Sequence, residues 1–462
     1  MVRKCFLLIA VFIVVCIVVV TGTAGATSAS HSVAAKSAQP SDVIQDNVYL
    51  ITSDTSLTAL NASTGALLWQ FQPGGYIDPP KVVNHIVYTL ALSSGFYALN
   101  ETTGATLWTF HPKGFLNVPV ITNAVYMTVD SATSNSSTLY ALNPKTGATL
   151  WSFQPGVNLG TPVISQNVVY IGTIYSTSIY ALSASKGKVL WHSQSASYSF
   201  YLEAVANGIL YGDAEGPKYS FGMLWAFSTR NGSLLWSFVG SLWAEGHATT
   251  YVEGGTTANP LICGLNDSNG KQIWCTPGYI VRLIDGQVYV TAGQSSFSVY
   301  SDSKGSLLWS RTNEGFITAV SGVVYAAGSN NFQVLKASNG SLLWSHSNAN
   351  FLTVAQGVVY AVDTNNLIEA LKSSNGALIW HSSTTYGVGT YFFVNNGLVT
   401  AASADNLSVY ALEAKNGMLQ WRYVLPQALS SVSITNGMVY VTTLDGTIYA
   451  LKASDGTLLW KH

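Results

Sequence analysis

A glycine stands four residues before a tryptophan at eleven places in this chain, and that one spacing leaves few folds open. The pairs are Gly65–Trp69, Gly104–Trp108, Gly147–Trp151, Gly187–Trp191, Gly232–Trp236, Gly270–Trp274, Gly305–Trp309, Gly340–Trp344, Gly376–Trp380, Gly417–Trp421 and Gly456–Trp460. Successive tryptophans are 39, 43, 40, 45, 38, 35, 35, 36, 41 and 39 residues apart. A period of this size marks a propeller, solenoid or other repeat array. The stretch Ala59–Trp69 shows the unit: a strand, a tight turn at Ser63-Thr64-Gly65, and a second strand ending in Trp. Gly65 suits a turn that needs positive φ, and Asn61, Ser63 and Thr64 can bond the local backbone.

A second marker lies about twenty residues before most of the tryptophans. It is a Tyr after an apolar run, at 49, 88, 126, 170, 211, 251, 289, 325, 360 and 440, with Val399 in its place in the tenth repeat. Alternation and β-branched content around both markers indicate strands. Four short strands per repeat make one propeller blade. The sequence therefore predicts an all-β fold, a β-propeller of four-stranded antiparallel blades with eleven repeats. Propellers usually close with four to eight blades, so two rings are an alternative. The lack of any linker-like stretch favours one large toroid.

The repeats occupy residues 43–462. Before them, Arg3 and Lys4 precede an apolar run from Cys5 to Val20, and Ala24-Gly25-Ala26 resembles a cleavage site. Residues 1–26 are read as a signal peptide, with an uncleaved N-terminal anchor as the alternative. Residues 27–42, rich in Ala and Ser, are read as a disordered spacer. Both readings imply an exported protein, secreted or associated with the cell envelope.

Charged residues make up only 9% of the chain and the formal net charge is −1. Nothing in that balance favours nucleic acid or an anionic membrane as partner. Any membrane contact would run through an uncleaved N-terminal segment. Cys263 and Cys275 flank one repeat turn, where a hairpin like the other ten would bring them face to face. A Cys263–Cys275 disulfide is expected in an exported protein.

The unit Ala-x-Asn-x-x-Thr-Gly-x-x-x-Trp, at Ala59/Asn61/Thr64/Gly65/Trp69, Ala98/Asn100/Thr103/Gly104/Trp108 and Ala141/Asn143/Thr146/Gly147/Trp151, resembles the tryptophan-docking motif of quinoprotein dehydrogenases. Proteins with such PQQ-like repeats share the motif without being enzymes. The resemblance spans about residues 43–462. It implies that each motif Trp stacks on the neighbouring blade and so locks the ring. Later repeats depart from the pattern: Val299 and Val334 replace the first Ala, and Lys336, Lys372, Glu413 and Lys452 replace Asn. The dehydrogenases hold pyrroloquinoline quinone under a disulfide between adjacent cysteines and beside Ca²⁺. This sequence has no Cys-Cys pair and no Asp/Asn-rich calcium loop. No catalytic, cofactor-binding or metal-ligating set is therefore expected, and PQQ with calcium is the minor alternative.

Repeats five and six break the pattern between Glu203 and Asn259. Glu203, Asp213, Glu215, Trp243, Glu245, His247 and Glu253 form a candidate ligand face on loops at the ring's end. The simpler reading is that these are longer surface loops. His192, His346 and His381, each just after a motif Trp, read as exposed positions. Three functions follow. The first is an exported non-catalytic scaffold that binds a protein or envelope polymer on an end face, by analogy with outer-membrane assembly lipoproteins carrying this repeat. The second is a PQQ-dependent sugar or alcohol dehydrogenase. The third is a hydrolase or lyase using Glu245 and His247. Fold alone does not choose among them.

Overall fold

The structure is a computed structural model. It describes residues 17–18 and 47–462, apart from 53–54, 93, 175, 195–199, 215–221, 246–248, 257–258, 292–295 and 329–330. The leader other than 17–18, and the whole expected spacer at 27–42, lie outside the described residues. Every regular element described is a β-strand, and no helix there is long and apolar enough to cross a membrane.

The strands form eleven antiparallel sheets of four strands or more, the blades of a β-propeller, each ending in one repeat tryptophan. In blade 2 they run Lys81–Val83, Ile86–Ala91, Gly95–Asn100 and Thr106–Phe110, in that spatial order. In blade 1 the place of the first strand is taken by Ile17–Val18, paired with Tyr49 and Leu50. Blades 3 and 4 carry this strand in two short pieces, Phe115–Leu116 with Val120–Ile121 and Asn158–Leu159 with Val163–Ser165. Pro119 and Pro162 sit in the gaps, where a residue without an N–H cannot extend the ladder.

The turn between third and fourth strands is built as its residues suggest. In blade 1 the Gly65 N–H donates to the Asn61 carbonyl at 2.8 Å, and Asn61 Oδ1 accepts from the N–H groups of Ser63 and Thr64. All eleven repeat glycines have φ between 60° and 73°, the left-handed region that glycine enters without strain. The turn survives where Lys replaces Asn: the Gly340 N–H still donates to the Lys336 carbonyl at 2.8 Å.

The two markers and the motif Ala turn out to be one row across three strands. Tyr49 pairs with Ala59, and Ala59 with Trp69. The small Ala lets the flanking rings meet above it, with Tyr49 and Trp69 centroids 5.8 Å apart. Blades 7 and 8 have Val299 and Val334 in the middle of the row. There Phe297 and Phe332 meet Trp309 and Trp344, while Tyr289 and Tyr325 lie against Phe316 and Phe351. In blade 10 the row passes through Thr400, not Val399, one residue later than the apolar run suggests.

The blades fall into two compact units, one holding blades 1, 2, 10 and 11 and the other blades 3 to 9. Within each, the same contact joins neighbours. Trp151 of blade 3 donates its Nε1–H to the Ala184 carbonyl of blade 4 at 2.8 Å, and its ring lies over Gly187. Trp69, Trp191, Trp236, Trp309, Trp344 and Trp421 make the equivalent bond to Glu101, Thr229, Asp267, Ala337, Ser373 and Ala453. In the first unit Trp460 of blade 11 donates to Ala62 of blade 1 at 2.9 Å, 398 residues away in sequence.

The apolar cores lie between neighbouring blades rather than inside one blade. One combines Val48, Leu60 and Ala62 with Met438, Tyr440, Ile448, Ala450 and Trp460. Blade 6 adds a covalent link: Cys263 and Cys275 are a directly opposed cross-strand pair and are disulfide-bonded.

Two substitutions test this packing. Trp151→Ala is expected to cost about 3–5 kcal/mol, as for other large buried aromatics. Gly187→Ala should also destabilise, because its φ is 65° and an added Cβ would lie 2.6 Å from the Trp151 ring. Chemical denaturation of both variants checks this, with the exposed Leu150→Ala as the near-neutral comparison.

Candidate functional site

The expected ligand face lies at the junction of blades 5 and 6. The first strands here, Phe200–Ala206 and Ser241–Glu245, each carry a one-residue bulge. The extra residues are Glu203 in blade 5 and Trp243 in blade 6, so two of the sequence candidates occupy equivalent places. A bulge re-aims the side chain it carries, and here the two diverge. Glu203 is exposed, whereas Trp243 packs with Ala244, Leu283 and Tyr300 against the core shared by blades 6 and 7. Trp243 is thus a wedge between blades rather than an open ligand platform.

Asp213 is the centre of the polar group. It lies near the end of the second strand of blade 5 and pairs with Tyr201 on the first. Its carboxylate accepts from the Ser241 hydroxyl and the Leu242 N–H, both of blade 6, while its Oδ1 is buried with no partner among the described residues. Burial pushes the Asp213 pKa up to about 6; the nearby Glu203 charge adds to this, and the bonds from Ser241 and Leu242 oppose it. Glu253 stands directly opposite Ser241 on the second strand of blade 6. Asp213 and Glu253 therefore meet Ser241 from the two blades, with Glu203 near Asp213. Glu215 and His247 lie outside the described residues. Glu245 ends the strand Ser241–Glu245, and its side chain is also outside them.

A different set of carboxylates escaped the sequence reading. Glu101, Asp267 and Asp302 occupy the turn position whose carbonyl receives the neighbouring Trp in most blades, and all three residues are buried. Glu101 Oε2 bonds His85 Nδ1 at 2.9 Å. Asp267 accepts from Thr250 Oγ1 at 2.7 Å and from Asn207 Nδ2 at 3.1 Å. Asp302 Oδ1 accepts from the Tyr251 hydroxyl. The Asp302 carbonyl takes the Thr249 hydroxyl, and Trp274 is left with a buried Nε1–H that has no partner among the described residues and a flat stack on Tyr300 at 4.8 Å. The only sequence signal is an acid where other repeats have Ala, Ser, Thr or Pro. Asp267 and Asp302 tie neighbouring blades together through these bonds.

The Asp213 environment has a definite sign. Its folded pKa lies above the unfolded value of 3.8, so the native state binds the extra proton between pH 4 and 6. The stability contributed by that proton is present below about pH 4 and lost as pH rises through about 6. Asp213→Asn should remove this dependence and gain at most about 3 kcal/mol relative to the parent at pH 7. Denaturant midpoints of both proteins from pH 4 to pH 7.5 measure it.

None of the curated proteins matches this chain. Similar solved structures include the crystal structure of BamB from Moraxella catarrhalis, 16% identical over 63% of this chain and 93% of that one, with a TM-score of 0.35. Another is the computationally designed Ika8 protein, 15% identical over 74% of this chain and 96% of that one, with a TM-score of 0.33. The signature of the family described as outer membrane protein assembly factor BamB matches residues 17–133, 135–277, 220–350, 333–433 and 409–462. These matches run through all eleven blades, and the chain belongs to that family.

Proposed function

We propose that this protein is exported and acts as a non-catalytic scaffold, binding a protein or cell-envelope polymer on the end face of blades 5 and 6. The observation that carries this reading is the polar group at Ser241. Asp213 accepts from Ser241 and Leu242 of the next blade, Glu203 lies near Asp213, and Glu253 stands opposite Ser241. The exposed Glu203 and the part-exposed Glu253 offer acceptors to a hydrogen-bonding partner on that face. The matched family, described as an outer membrane assembly factor, supports a protein-binding role in the envelope. The basic and apolar start of the chain supports export. No cofactor enters this reading; bound PQQ with calcium would mark the dehydrogenase alternative.

Two experiments test it. A photocrosslinking residue at Glu253 should give discrete adducts in the producing cell, whereas one at Ser268, in the turn at the other end of the same blade, should not. Equal labelling at both positions, or a full-length chain retained in the cytosol, would contradict the proposal. Purified protein mixed with PQQ and Ca²⁺ should show no saturable rise in Tm. A saturable rise with bound-cofactor absorbance would replace the scaffold with the dehydrogenase.

A further inference from the structure

Blade 9 gathers ionisable side chains well away from the junction of blades 5 and 6 in sequence. Its second strand, Val358–Asp363, ends in Asp363; its third, Ile368–Lys372, carries Glu369; its fourth, Leu378–His381, ends in His381. Glu369 and His381 are directly opposed across the strands. Asp363 Oδ2 lies 3.3 Å from His381 Nε2, and ligand atoms of Asp363, Glu369 and His381 all lie within 4.8 Å of one another. From blade 8, His346 Nε2 lies 2.6 Å from Glu369 Oε2.

Other blades carry aromatic rings at these places. The position of Glu369 is Tyr97 in blade 2, Tyr180 in blade 4 and Tyr449 in blade 11. The position of His346 is Phe71, Phe153 and Tyr423 in the blades preceding those. There the two rings meet, at 5.0 Å for Phe71–Tyr97 and Phe153–Tyr180 and 5.9 Å for Tyr423–Tyr449. Between blades 8 and 9 an aromatic contact has become a histidine–carboxylate contact, with a second histidine and a second carboxylate beside it.

We propose that Asp363, Glu369 and His381 bind a divalent transition cation of the zinc class, with His346 as a positioning residue. One imidazole and two carboxylates form an N/O ligand set suited to Zn²⁺, whose bonds to such atoms are about 2.0–2.2 Å. Two ligands at that distance and a tetrahedral angle stand about 3.3–3.5 Å apart, so the Asp363–His381 separation already fits. Glu369 needs only a small side-chain adjustment. The turn after Asp363 fixes its carboxylate: Oδ1 accepts from the N–H groups of Leu367 at 2.8 Å and Asn365 at 2.9 Å, which turns Oδ2 toward His381. His346 orients Glu369 in the same way, as partners behind metal ligands do. The side chains are between 13% and 40% exposed, so an ion can enter from solvent. The fourth ligand would be water.

The test uses purified full chain, free of any affinity tag, titrated with Zn²⁺ by calorimetry and with Co²⁺ by visible absorption. One equivalent should bind saturably, with the intense d–d bands of a low-coordinate N/O site. Asp363→Asn preserves the hydrogen bonds to Leu367 and Asn365 while removing the charge, and should abolish saturable binding; His381→Ala should do the same. His346→Gln should weaken binding by about 10–100-fold while the Co²⁺ spectrum persists. His192→Ala, whose ring stacks on Tyr180 at the equivalent position of blade 4, should change nothing. Far-UV circular dichroism and Tm in EDTA show that each variant is folded. No saturable binding, or binding that survives both Asp363→Asn and His381→Ala, would overturn the site and leave a set of hydrogen bonds between and within blades.

Discussion

The structure depends on one repeated contact, in which an indole from one blade lies on the left-handed glycine of the next and donates its N–H to a carbonyl three residues before that glycine. Two requirements meet there. The ring needs a flat apolar surface, and only a residue without Cβ gives it at that distance. The buried N–H needs an acceptor, and the turn supplies a carbonyl with no partner in its own sheet. Both requirements fall inside one short segment, so the motif can be copied along a chain without adjustment elsewhere. A blade by itself has two apolar faces; cores shared between neighbours bury them, as in other repeat proteins.

Most of this architecture could be read in the sequence because its signals are local. The glycine, the Asn or Ser of the turn and the tryptophan lie within ten residues, and the structure places each as its chemistry suggests. The tyrosine marker was also visible, although its role depends on the Ala that lies between it and the tryptophan in the row. Where that Ala becomes Val, in blades 7 and 8, the aromatic pairing changes, and periodicity alone cannot show this. The tenth blade is a case in which the apolar run gives the strand but not its register: Thr400, a polar residue, holds the place that Val399 was expected to hold.

Sites were less legible, for a physical reason. Each is assembled from residues about one repeat apart, brought together only when blades pack. Asp213 reaches Ser241 and Leu242 in the next blade, and nothing local to Asp213 marks that contact. Trp243 reads in the sequence as part of a ligand face, yet the bulge at its position turns it into a core. His346 and His381 read as two unrelated exposed residues. Their nearness to Glu369 follows from cross-strand register and the contact between blades 8 and 9. The same cross-strand position holds a Tyr–His stack in blade 4, a disulfide in blade 6 and a Glu–His pair in blade 9. The framework that the tryptophans fix thus leaves this one position free to vary in chemistry.

The most direct test of the indole contact is hydrogen exchange at the tryptophan side chains, followed by NMR on protein labelled with ¹⁵N at the indoles. Strong protection is expected for the Nε1–H groups of Trp69, Trp151, Trp191, Trp236, Trp309, Trp344, Trp421 and Trp460, with the Trp460 signal lost when Gly65 is replaced by Val. Exchange of these protons at the rate of free indole under folding conditions would contradict neighbouring blades held together by their indoles.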